Sequence, residues 1–599
     1  MNTVRVIGFL ALVAVLGAQG LQTTPSSQFL QAEKLVPAPP ELPTTGGYNA
    51  VSTTMKCVIN LTIQYMIVYS ALAVSRTFAD AFGWEFKTVP VANILNQCTH
   101  TINYCPMAAC MFLAIRMRVV WLSQGAEWDP QDWVCVCMQY VAWSILATTL
   151  VVAVIPLFTG EMVPVKEDTG DLDENATPKQ FQGIWAAALG FTIFRYLLLA
   201  GMYGGMIGVI YGTFSYMPAN GQWRPMAPAV GATVTLTVMF FMVYAGVAVL
   251  RTFGQLTGNA AWPALETALL AATAAMNFAP MLSILFLAAR MRALQMDPVN
   301  GSPQAWAQSC FYMCAYAVMF QTILSVAVPL VMSGKVKKGS TEGDMEYTVE
   351  NKTLGLCLTV GRYIIMLSIY LGFTAVIVSI FTLAHPDGAQ YTPPISPTVQ
   401  CVMCLTFQYF FIYLMVWACI SLREWTGQEW ALLTNTMESC MGTVAFCPML
   451  AILFVGTRMR ALQMTNNKGA PQGWAQDGMY LATWSIFIQF IMVIIAGACT
   501  GEKAKTDADG NVTWHPGNIY AWYAVQVIRW FAVLALWGGA ITVIVSVFTI
   551  TPETANGRGS IPLVTDGTVP VVGDQLAGPP PGVQGAVPGL EPGGAAGDV

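Results

Sequence analysis

Apolar residues run in stretches of twenty or more along most of this chain, broken at intervals by turn-forming and charged residues. The stretches fall near 55–77, 90–116, 133–158 and 183–215, then 231–252, 263–290, 306–332 and 354–383, then 399–421, 430–457, 474–498 and 519–550. A helix of about twenty apolar residues crosses a hydrocarbon layer some 30 Å thick. The pattern predicts an all-α integral membrane protein with about 12 transmembrane helices.

One apolar phrase is written three times. Residues 103–122 read NYCPMAACMFLAIRMRVVWL, residues 277–296 NFAPMLSILFLAARMRALQM and residues 445–464 AFCPMLAILFVGTRMRALQM. Their prolines, Pro106, Pro280 and Pro448, stand 174 and 168 residues apart. Repeats of that length in apolar sequence indicate a duplicated membrane module. Each copy holds four helices, and an even number makes the copies parallel, related by an axis along the membrane normal. Three such copies most simply close into a pseudo-threefold ring; an open row is the other arrangement. The repeats are expected at 51–222, 223–393 and 394–552. A signal-like leader at 1–20 precedes them, with Arg5, an apolar stretch from Val6 to Leu16 and Ala18-Gln19-Gly20 as a cleavage site. Residues 21–50 read as a disordered linker and 553–599 as a disordered Gly/Pro-rich tail.

Several features recur in all three copies. The second helix is expected to end in Arg-Met-Arg, at Arg116/Arg118, Arg290/Arg292 and Arg458/Arg460. Ten residues before the first arginine, the proline removes a backbone hydrogen bond and kinks the helix at mid-depth. The third helix opens with Pro-Gln-x-Trp (Pro130, Pro303, Pro471), proline suiting a first turn and tryptophan the headgroup zone. It also carries Thr149, Gln321 and Gln489 at matching depth. The fourth helix contains Arg195, Arg362 and Arg529, each followed eight residues later by an aromatic: Tyr203, Tyr370 and Trp537. An arginine in an apolar run marks a functional site by default. Two readings stand: interfacial anchors with snorkelling heads, or, with Thr149, Gln321 and Gln489, a pathway facing a central vestibule. The first helices share Tyr69/Tyr244 and Arg76/Arg251; the third copy has Tyr413, with Arg423 about one turn late. Gly204, Gly208 and Gly212 form a small-residue stripe for close helix packing.

Composition narrows the classes. Only 10% of residues are charged and 55% are hydrophobic, with a mean hydropathy of +0.56, too few charges to coat a soluble protein. The net charge of −5 argues against nucleic acid. The cysteines lie mostly in apolar runs as small hydrophobes, and Cys401-x-x-Cys404 stands alone, so no metal site is expected. His100, His385 and His515 share no place in the repeats and supply no set of haem ligands. No cofactor motif and no repeated acid/base constellation is present, so an enzyme is the weakest reading. In helix count alone, trimers of four-helix units resemble the eicosanoid and glutathione membrane transferases. The Arg/Asn/Glu signature of their second helix is missing here.

Orientation is read from three N-x-T acceptors, Asn175, Asn351 and Asn511, each in the loop between third and fourth helices. Outside loops of a glycoprotein place the Arg-Met-Arg clusters on the cytosolic face. A cleaved leader gives the opposite parity, which is relieved if residues 1–20 stay as an anchor or if 1–50 form a two-part organelle leader. The location expected is the secretory pathway or plasma membrane, with an organelle membrane as the alternative. The lipid bilayer is the partner expected throughout. The function expected is a transport or channel protein for anions or small polar solutes along the threefold axis. The alternative is a structural membrane protein with partner-binding loops.

Overall fold

The structure is a computed structural model describing residues 51–82, 94–95, 98–123, 127–159, 185–218, 224–257, 269, 272–296, 301–331, 336–338, 345–347, 352–383, 394–426, 431–464, 469–499, 503–506, 512–515, 518–551 and 554. The leader, the linker, Asn175, Asn351, Asn511 and nearly all of the tail lie outside these.

Helices dominate. They are α1 (Thr53–Phe82), α2 (Tyr104–Leu122), α3 (Asp132–Thr159), α4 (Trp185–Ser215), α5 (Pro228–Thr257), α6 (Phe278–Met296), α7 (Ala305–Val331) and α8 (Lys352–Thr382). Then come α9 (Pro397–Thr426), the short α10 (Ala431–Val444), α11 (Phe446–Met464), α12 (Gly473–Cys499) and α13 (Ile519–Thr549). Among the described residues, twelve helical spans are long and apolar enough to cross a membrane. In hydrocarbon a helix satisfies its own backbone polar groups, which is why such runs adopt it. The chain is a multi-pass helical membrane protein. Among the described residues the only strands are two antiparallel hairpins between spans: β1 (Val336–Lys338) with β2 (Met345–Tyr347), and β3 (Lys503–Thr506) with β4 (Val512–His515).

The helices sort by burial. Over an apolar 18-residue stretch of the spans containing α2, α6 and α11, 83–89% of residues are buried, against 22–39% in those of α4, α8 and α13. The inner three are apolar all round because protein surrounds them; the outer ones present Leu197, Ile207, Leu371, Phe381, Phe531 and Leu534 outward, as a lipid-facing surface requires. Helices α2, α6 and α11 touch one another. Around them α1 packs on α2 and α11, α5 on α6 and α2, and α9 on α11 and α6, so the contacts return to their starting point. Outside these, α3 pairs with α4, α7 with α8 and α12 with α13.

Those outer pairs meet through glycine. A Cβ on Gly539 of α13 would lie 2.5 Å from the Gly478 carbonyl oxygen and 2.8 Å from the Ala482 nitrogen of α12. On α4 the close positions are Gly205, Gly208 and Gly212, facing Cys137, Val141 and Val134 of α3. Gly204 has open space about it, which corrects the four-residue stripe. A straight helix turns 3.6 residues, so 205, 208 and 212 share the face that 204 leaves.

Two boundaries differ from the sequence expectation. The second helices do not end at Arg-Met-Arg; they run on to Leu122, Met296 and Met464. Acceptors from adjoining segments reach the guanidinium groups of Arg116, Arg118 and Arg292, so the helix need not stop for water there. The third helices begin two residues after the proline, at Asp132, Ala305 and Gly473. The intervening glutamine accepts the first backbone bond: Gln131 from Val134, Gln304 from Gln308 and Gln472 from Ala475, at 2.9–3.0 Å. The prolines brace the turn with their carbonyls, which accept from Gln308 and Gln476 side chains at 2.6 Å and from Cys135 at 3.5 Å.

Candidate functional site

The site starts from the three prolines. Proline has no N–H to give the carbonyl four residues back, so a helix opens just before it. Here the regular helical ladder is interrupted at a single residue three places before each proline, Asn103, Asn277 and Ala445, of which Asn103 keeps α-region angles (φ −60°, ψ −17°). Their amides still bond Thr99, Thr273 and Met441 at 3.0–3.1 Å, so each span continues across its break.

The three breaks face one cavity of about 100 Å³. Its walls are Pro106, Pro280 and Pro448; Asn103, Asn277 and Ala445; and one pair four residues apart from each of α1, α5 and α9. Those pairs are Tyr65/Tyr69, Phe240/Tyr244 and Tyr409/Tyr413, with ring centroids 4.4–4.6 Å apart. Equivalent places of the three recurring phrases therefore line one space. Among the described residues no charged side chain contributes to it.

Hydrogen bonds hold the walls. Tyr65 donates to the Ala445 carbonyl and Tyr409 to the Asn277 carbonyl, both at 2.8 Å. Phe240 has the corresponding place on α5 and no hydroxyl. Tyr69 donates to Asn103 Oδ1 at 2.7 Å and Tyr244 to Asn277 Oδ1 at 3.5 Å. The arrangement supplies hydroxyls, amides and ring faces, which can hold water or a small polar molecule. It offers no nucleophile–base pair. Among the described residues no group of three or more His, Cys, Asp or Glu could hold a metal ion.

The sequence-selected residues lie elsewhere. Arg195 and Arg362 are exposed on α4 and α8, Arg529 is half-buried on α13, and none lines the cavity. Arg529 donates to Gln526 Oε1, one turn earlier, at 3.4 Å. Thr149, Gln321 and Gln489 are buried on α3, α7 and α12, also away from the cavity. Thr149 donates to its own helix, at Ile145 O, 2.9 Å. Tyr69, Tyr244 and Tyr413 stood out by recurrence, but nothing in their spacing said they face a cavity. Asn103 and Asn277 were the missed signal: amides at one place in an apolar phrase.

The Arg-Met-Arg residues are buried, between 0 and 7% exposed. Arg116 donates to Ser52 Oγ and, at 2.8 Å, to Gln463 Oε1, which also accepts from Arg460 at 3.0 Å. Arg292 donates to Gln295 and to the Pro394 carbonyl at 3.0 and 3.3 Å. Arg116 also lies over Trp128, 5.5 Å from the ring centre. Asp129, close by in sequence, accepts from Thr53 N and Thr54 Oγ1 at 3.0 Å, capping α1 from outside. Beyond the spans at this end, Tyr216 donates to Glu127 Oε2 at 2.5 Å. Its burial, then that bond and the Glu127 charge, hold the phenol above its ordinary pKa.

No protein-family model matches the chain, and no curated protein is similar to it.

Proposed function

We propose that this membrane protein consists of three four-helix repeats, 51–222, 223–393 and 394–552, closed about a pseudo-threefold axis, and that it passes small polar solutes through the cavity on that axis. One observation carries the reading: residues at equivalent places in the three recurring phrases converge on a single polar cavity at the helix breaks. A helix break at membrane depth is tolerated where it lines a cavity, and such breaks form solute sites in transporters.

Chemistry sets the solute class. The lining is uncharged, so a permanent ion finds no counter-charge there. Ten residues beyond each proline, about 15 Å along the helix, the Arg-Met-Arg arginines give that end a positive field. Cations are repelled at that end and anions are drawn to its arginines, while small neutral polar molecules suit the uncharged lining beyond. Arg195 and Arg362, exposed on outer helices, serve as interfacial anchors rather than as the pathway. The N-x-T loops face outward and the buried arginines face the cytosol, in a membrane of the secretory pathway or the cell surface. A second reading, a packing scaffold, is favoured by the burial of α2, α6 and α11 against one another.

Purified protein in phosphatidylcholine vesicles tests transport by stopped-flow light scattering with glycerol, urea and chloride gradients. Permeability to a neutral solute should exceed that of protein-free vesicles and fall on Asn103→Leu and Asn277→Leu together. Permeability equal to empty vesicles would leave the scaffold reading.

A further inference from the structure

Three guanidinium groups surround one indole. Arg118, Arg224 and Arg290 lie 5.7, 5.8 and 5.1 Å from the centre of the Trp121 ring. Arg118 and Trp121 belong to α2 and Arg290 to α6, while Arg224 lies just ahead of α5. Arg118 donates to the backbone carbonyls of Arg224 and Pro225 at 2.7 and 2.8 Å, which fixes that segment against α2.

Arg290 is the sharpest case. It is 1% exposed, and among the described residues its Nε and Nη2 have no hydrogen-bond partner. These two atoms form the outer edge of the guanidinium, the edge that grips two oxygens of an oxyanion side by side. Arg118 Nε is likewise buried without a partner. The indole face offsets some of the buried charge, but it gives these N–H groups no acceptor. Like charges gathered in a desolvated place are costly unless an anion joins them. Trp121 and Arg224 are only half-buried, so the cluster has an open side.

We propose that this cluster is a binding site for a phosphate-bearing anion, held side-on by Arg290 and enclosed by Arg118 and Arg224 beside Trp121. A carboxylate fills one fork, whereas a phosphate group has oxygens for several guanidinium groups at once. The site lies about 15 Å along α6 from the cavity at Pro280 and does not depend on transport. The same chemistry is carried by an anionic lipid headgroup and by free phosphate.

Thermal unfolding of the full chain in neutral detergent distinguishes them, because a ligand that binds only the folded state raises the midpoint. Inorganic phosphate is compared with chloride at equal ionic strength, and phosphatidylglycerol with phosphatidylcholine in mixed micelles. A phosphate source should raise the midpoint saturably in the unaltered protein. Arg290→Met should abolish the rise, and Arg224→Gln should move its concentration dependence up roughly tenfold, as loss of one charged hydrogen-bonding group does. A rise with phosphatidylglycerol alone assigns a lipid headgroup; a rise with inorganic phosphate assigns a soluble ligand. Equal responses in the unaltered protein and in Arg224→Gln, or no rise beyond the chloride and phosphatidylcholine controls, would overturn the site. If Arg290→Met does not fold, the partly exposed Arg224 still decides it.

Discussion

Tyr65 donates its hydroxyl hydrogen to the backbone carbonyl of Ala445, at 2.8 Å and across 380 residues of chain. The bond ties the first long helix to the break ahead of α11. Tyr409 makes the same bond to Asn277, and Phe240 marks the corresponding third place without one.

Removing the hydroxyl in Tyr65→Phe should cost about 1 kcal/mol, the usual net worth of such a bond. Adding one in Phe240→Tyr should offer a donor to the Asn103 carbonyl and raise stability by a similar amount. Thermal unfolding in detergent reads both. A Phe240→Tyr protein less stable than the original would count against the threefold arrangement.

The glycine contacts allow a paired test. Gly539→Ala places a Cβ 2.5 Å from the Gly478 carbonyl, an overlap that should cost about 1–3 kcal/mol as α12 and α13 separate. Its neighbour Gly538 has open space around it, so Gly538→Ala should be neutral or stabilise by up to about 1 kcal/mol. Equal effects at the two positions would mean that the helices do not pack on this seam.

Arg195, Arg362 and Arg529, replaced together by glutamine, should leave solute flux unchanged and alter only membrane insertion or helix tilt. Stopped-flow permeability and the yield of membrane-integrated protein separate the two. A flux that falls with glutamine and is kept with lysine would return these arginines to the pathway as a field effect.

Glycosidase treatment of the protein from its native cells should increase its gel mobility. Asn175→Gln, Asn351→Gln and Asn511→Gln combined should remove the change. Without a shift, and with these loops protected from external protease in intact cells, the orientation would be the reverse.

How much of this was legible depended on what each signal measures. Hydropathy counts apolar length, so it found the twelve spans, but it says nothing of which side of a helix meets which neighbour. Arg116 and Arg290 show the limit: arginines near the end of an apolar run suggest a wet helix terminus, yet both are buried and the helix continues past them. Thr149, Gln321 and Gln489 drew notice as polar groups at equal depth, but equal depth on third helices does not bring them to the centre. Asn103 and Asn277 do reach it, because proline three residues on opens the helix there. Gly204 and Gly205 differ by one residue, about 100° around the helix, yet only Gly205 packs against α3, a distinction that composition does not carry.

The bond from Tyr65 to Ala445 also bears on how the protein is made. Helix α1 emerges from the ribosome long before α11, and its partner face does not yet exist. Until residue 464 has been inserted, the polar edge of α1 near Tyr65 must wait in lipid, or in the care of the insertion machinery. The last helices to arrive thus complete the surroundings of the first, and a chain stopped after α8 would present the bilayer with an unfinished circle.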